Sequence, residues 1–148
     1  MTAREYLDRP ETFRLEIRRK QHRIETLRRL AGRVTAHLSD VRVQSTPDPS
    51  RTQGFLAEAA DEEREILRLE ERRKQALVDS ALLISRLPDE KMARILELRY
   101  LDRLGWEEIT EEIGCCASRV YRLHQLALEI LTPPPEAPEE TENLMCNL

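Results

Sequence analysis

The chain has 148 residues, of which 35% are charged and 4% aromatic, with a net charge of −4. Four glycines are few for a sheet protein rich in turns, and charged residues spaced among Leu, Ile and Ala are the composition of a helical or coiled-coil protein. The charged N-terminus excludes a signal peptide and no apolar run reaches the length of a membrane span, so a cytoplasmic protein without membrane contact is expected.

Pro10 suits the first turn of a helix, where its missing N–H costs nothing, so the first helix is expected from Glu11 to about Val41. Phe13, Ile17, Lys20, Ile24, Leu27, Ala31, Val34, Leu38 and Val41 recur at alternating steps of 3 and 4, a heptad seam interrupted at Lys20. The run Gln44–Gly54 holds two prolines and several turn formers, which predicts a loop. A second helix follows from about Phe55 to Leu87. Ala60, Leu67, Leu77, Ala81 and Ile84 are its expected seam, with Glu63, Glu70 and Lys74 at weaker positions. Residues 1–87 are thus read as an antiparallel helical hairpin.

Pro88 ends the second helix and Asp89 is a plausible N-cap for the next. Three short helices are expected at 89–101, 106–113 and 116–131. Gly105 precedes the second as N-cap, Gly114 closes it, and Pro133 to Pro135 follow the third. The last two helices form a helix-turn-helix within a domain at 88–131. Residues 132–148 hold four Glu, four Pro and no Lys or Arg, the composition of a disordered acidic tail. The fold class is therefore all-α, a hairpin followed by a trihelical unit and a tail.

Charge is uneven along this plan. Residues 1–51 carry 12 Lys/Arg against 7 Asp/Glu, whereas residues 88–131 carry 6 against 9. Glu107, Glu108, Glu111 and Glu112 all fall on the first helix of the helix-turn-helix. They repel phosphate and predict low non-specific affinity for DNA. On the last helix, Cys116, Val120, Leu123, Ala127, Ile130 and Leu131 share one side and Ser118, Arg122, Gln125 and Glu129 the other. If it enters a major groove, Ala117, Ser118, Tyr121, Arg122 and Gln125 face bases. Arg can fork onto guanine and Gln can pair with adenine. Arg99, Arg103 and Arg119 suit phosphates. The same polar residues would also occur on any solvated helix.

Three cysteines, Cys115, Cys116 and Cys146, make no disulfide framework, and no C-x-x-C pair offers a metal site. There is no Gly-rich phosphate loop and no Ser/His/Asp set. No catalytic residue, metal or cofactor is expected. His124 reads as a packed histidine and Trp106 as a core anchor.

The stretch "ILELRYLDRLGWEEITEEIGCCASRVYRLHQLALEIL" (Ile95–Leu131) resembles region 4 of sigma-70-type sigma factors. The shared features are the "LRY" helix, an acidic pair before isoleucine, a Gly turn, and Val120 early in the last helix. The chain is similar, more closely, to small phage-encoded regulators of the sigma region 4 type, through Tyr6–Leu7 and the "VQS" of Val43–Ser45 as well. Gly105 and Cys116 stand where that pattern commonly has serine N-caps, Thr110 where it has alanine, and Arg119 where it often has threonine. No segment resembles the parts of a sigma factor that melt promoters. The resemblance implies a phage or prophage transcription regulator that binds double-stranded DNA, with RNA polymerase as a partner and the hairpin as a holding or homodimerising arm. The alternative is a coiled-coil adaptor that docks on protein. Arginines at 99, 103, 119 and 122 on one face with Ser118 and Gln125 favour the first; glutamates covering that face favour the second.

Overall fold

The computed structural model describes residues 1–40 and 49–135, with side chains described for all of these except 34–40. Regular structure among the described residues is entirely helical. None of these helices is long and apolar enough to cross a membrane. The expectations for Val34, Leu38, Val41, the loop before Pro49 and the tail from Glu136 lie outside the described residues, and Thr132–Pro135 form no regular element.

Helix α1 spans Ala3–Asp40 and begins eight residues earlier than Glu11. A capping box explains this. Thr2 Oγ1 accepts from the Glu5 N–H at 3.2 Å, and Glu5 Oε2 accepts from the Thr2 N–H at 2.6 Å. The Thr2 N–H and hydroxyl both donate to the Glu5 carboxylate and hold it below its usual range. Pro10 therefore lies inside the helix, not at its first turn. It cannot donate to the Tyr6 carbonyl four residues back. Arg9 Nε donates to that carbonyl instead, at 3.3 Å, and its guanidinium lies 4.0 Å over the Tyr6 ring.

Helix α2 spans Pro49–Ile84. Residues 49–54, expected in a loop, are its first turns, with Pro49 at the helix start, where proline is favoured. Helix α3, Glu90–Leu96, is capped by Asp89, whose carboxylate accepts from the Lys91 N–H at 2.8 Å. It continues as a π turn over Glu97–Leu101. Arg103 then takes φ +57°, and the Leu104 N–H reaches back to the Leu98 carbonyl at 2.9 Å. Helices α4, Trp106–Ile113, and α5, Ala117–Ile130, are joined at Gly114. Its φ of +72° is the left-handed conformation that closes α4, which glycine adopts without steric cost.

Two compact units result: Pro10–Gln75, and Met1–Arg9 with Ala76–Leu148. They differ from the expected division at Leu87, because the start of α1 and the end of α2 enter the core of the short helices. Ala3, Tyr6, Leu7, Leu83, Ile84 and Leu87 are buried together with Leu96, Tyr100, Ala127 and Leu131. A second cluster, Ile95, Leu98, Ile109 and Val120, joins α3, α4 and α5.

Within the unit Pro10–Gln75, Ile17, Ile24 and Leu27 of α1 pack with Ala59, Ile66 and Leu69 of α2. Arg72 lies over Phe13, Lys20 pairs with Glu62 at 3.0 Å, and Arg23 pairs with Glu58. In these contacts the number rises along α1 as it falls along α2, so the two stretches run in opposite directions. The expected α1 seam from Phe13 to Ala31 is the inward one. The expected α2 seam is not. Ala60 and Ala81 are exposed, Leu67 is 66% exposed, and the inward line is Phe55, Ala59, Glu62, Ile66, Leu69, Arg73, Ala76, Ser80, Leu83 and Leu87. Ile84, the one expected member that is buried, lies beside that line. Glu62, Arg73 and Ser80 on the line hide its heptad spacing from a search for apolar residues.

Two stability measurements follow from this packing. Ile66→Ala is expected to destabilise the fold by about 2 kcal/mol or more, as large-to-small core changes do. Leu67→Ala is expected to stay within about 0.5 kcal/mol. Denaturant unfolding of the two variants checks the register; a costlier Leu67→Ala would restore the sequence-based seam. Gly105, with φ −71° and ψ 161°, already gives its N–H to the Glu108 carboxylate at 3.3 Å, and a Cβ there meets nothing within 4 Å. Gly105→Ser would complete that capping box and stabilise by about 0.5–1 kcal/mol, read as a higher thermal midpoint.

Candidate nucleic-acid interface

Helix α5 is amphipathic, but Cys116 and Ile130, expected on its apolar side at the two ends, are exposed. Val120, His124 and Ala127 are buried. Ala117, Ser118, Arg122, Gln125 and Glu129 are exposed. On a 3.6-residue turn, the last four of these fall along the middle of the exposed face. Tyr121, 46% exposed, marks one edge, and Arg119 and Leu126 mark the other. All six α5 residues expected at an interface are therefore solvent-accessible. Ser118, Arg119 and Arg122 line one shallow hollow of about 580 Å³ with Leu123 and Leu126.

Arg99 and Arg103 do not share that hollow. They line another, of about 360 Å³, with Tyr121, Trp106, Tyr100, Arg4 and Asp8. Tyr121 thus joins the second hollow to the exposed face. It stacks on Trp106 at 4.4 Å between centroids, and the Arg99 guanidinium lies 4.5 Å from the Trp106 ring centre. Arg99 also donates to the Leu104 carbonyl at 3.1 Å. Arg103 donates to Asp8 Oδ1 at 3.2 Å. Arg4 was missed in the sequence. It lies 95 positions before Arg99, and only the folding of the first α1 turn onto the short helices brings it here.

Beneath this hollow lies a buried polar pair. His124 is 0% exposed, and its Nε2 is 2.9 Å from the Tyr100 hydroxyl. The charge of Arg4 acts on both groups. The other ring nitrogen, Nδ1, is buried without a hydrogen-bond partner. Trp106 closes the site edge-on, 4.8 Å from the imidazole. Burial, reinforced by the charges of Arg4 and Arg99, lowers the His124 pKa to about 4. Burial pushes the Tyr100 hydroxyl up.

The glutamates of α4 are placed elsewhere. Glu108, Glu111 and Glu112 line a separate groove with Leu104. Neither arginine-lined hollow has a glutamate among its lining residues. Cys116 is the N-cap residue of α5, and its thiol lies 3.5 Å from the Ser118 hydroxyl. That contact, with the Arg119 backbone N–H, lowers its pKa. Among the described residues no three of His, Cys, Asp or Glu are grouped to hold a metal ion. No family model, curated protein or solved structure matches the chain.

The buried histidine gives the fold a defined acid sensitivity. Its pKa is about 4 folded against 6.5 for the free side chain. Between those values the unfolded chain binds the extra proton, so stability falls as pH falls and is unaffected above pH 6.5. The loss expected from pH 6.5 to 4 is on the order of 3 kcal/mol. Unfolding free energies measured across that range should show it, and His124→Leu should lack this part of the slope.

Proposed function

We propose that the protein is a DNA-binding transcription regulator of the sigma region 4 type, with α4 and α5 as its helix-turn-helix. One observation carries the reading. Ser118, Arg122 and Gln125 share the exposed face of α5, arginines line the hollows along both of its edges, and three of the four α4 glutamates, Glu108, Glu111 and Glu112, lie in a different groove. An Arg and a Gln spaced three apart on an open helix face suit guanine and adenine edges. Arginines flanking that face suit the phosphates on either side. The first helix of a helix-turn-helix crosses the backbone without entering the groove, which tolerates glutamates on its outer side.

In this reading, α1 and α2 form a helical hairpin that acts as an arm, for a second copy or for RNA polymerase, and the protein works in the cytoplasm of a bacterial host. The four glutamates of α4 keep non-specific affinity low, so binding strengthens when polymerase is present. The second reading is a coiled-coil adaptor without sequence-specific DNA binding. The exposure of Leu67, Val78 and Leu82 on α2 favours it, because exposed apolar side chains on a paired helix are available to a protein partner.

Binding isotherms over a salt series, on selected and random duplex DNA and with and without polymerase, separate the two. Arg122→Ala is expected to cost about 1–3 kcal/mol on the selected site and to relax sequence preference. Arg119→Ala should weaken all sequences alike and lower the salt slope by about one unit. No preference under any condition, with Arg122→Ala unchanged, would leave the adaptor reading.

A further inference from the structure

The hollow beside Tyr121 gathers three guanidinium groups, Arg4, Arg99 and Arg103, and Asp8 is the one carboxylate among its lining residues. Three positive charges against one negative leave an excess of two in about 360 Å³. Arginines converging in this way repel one another, and an anion in the hollow would relieve that repulsion. The groups are also held in place. Arg99 rests on Trp106 and is tied to the Leu104 carbonyl, and Arg103 is bonded to Asp8. A guanidinium fixed through part of its five N–H donors presents the remainder in a set geometry, which suits phosphate oxygens.

The position of the hollow selects among anions. Tyr121 belongs both to its lining and to the edge of the exposed α5 face. A helix lying in a major groove has sugar-phosphate backbone along its edges. We propose that this hollow receives a backbone phosphate of duplex DNA, and that Arg4, in the first turn of α1, supplies a phosphate contact from outside the helix-turn-helix. The inference rests on the DNA-binding reading and adds a partner-contacting residue that the helix-turn-helix alone does not contain. Asp8 opposes the contact, since it occupies Arg103 and repels phosphate.

The test uses the full chain with Arg4→Gln, Arg4→Lys and Asp8→Asn, each checked for native helicity by circular dichroism, on selected and random duplexes across a salt series. Arg4→Gln is expected to weaken selected and random duplexes by the same factor, about 3- to 10-fold at low salt, and to lower the salt slope by about 0.9. Arg4→Lys should recover part of the loss, because the charge returns without the fork. Asp8→Asn should strengthen binding to both duplexes, a change of opposite sign that a merely structural role for the first α1 turn would not produce. Unchanged binding by folded Arg4→Gln, or weaker binding by folded Asp8→Asn, overturns the inference while leaving DNA reading by α5 intact. Failure of the parent protein to bind any duplex, with or without polymerase, overturns both.

Discussion

The hydrogen bond between Tyr100 and His124 is the constraint on which the candidate interface depends. It joins the π turn after α3 to the middle of α5 at a fully buried point. Burial keeps the imidazole neutral at every pH well above 4. Around it the surface groups find their places. The charge of Arg4 acts on the same hydroxyl, Trp106 meets the imidazole edge-on, and Tyr121 stacks on Trp106. The rotation of α5, and so which of its residues point outward, follows from where His124 is anchored.

The π turn has its own role in this arrangement. One additional residue per turn shifts the side chains after it relative to an α-helix. Tyr100 is thereby buried while Arg99, its neighbour, remains half-exposed over Trp106. The turn ends at Arg103 with positive φ, a conformation that costs a non-glycine residue of order 1 kcal/mol or more. A glycine would adopt it freely but would carry no guanidinium to meet Asp8.

Much of the helical plan was legible in the sequence. Pro88, Asp89, Gly105 and Gly114 are local signals with local causes, and α4 begins and ends where they place it. The start of α1 was misread because Pro10 outweighed the Thr2–Glu5 capping box, although that T-x-x-E spacing was present. The α2 seam was misread by one residue because an apolar search passes over Glu62, Arg73 and Ser80. The outward face of α5 was legible from periodicity alone. The second hollow was not: Arg4, Asp8 and Arg99 meet only through tertiary packing, and no spacing along the chain encodes it.

The charged positions inside the two long seams bear on which helices can pair. Lys20 and Glu62 each sit at a position that a plain coiled coil would fill with an aliphatic residue, and each is the other's counterion at 3.0 Å. If two copies of α1 lay side by side in register, Lys20 would face Lys20. Two copies of α2 would set Glu62 against Glu62. Either match buries like charges without compensation, a cost that polar seam residues use elsewhere to choose partners. The seam is thus coded for its own chain's other strand of helix. A second molecule would have to be met on outward residues such as Leu67, Val78 and Leu82, leaving the seam closed.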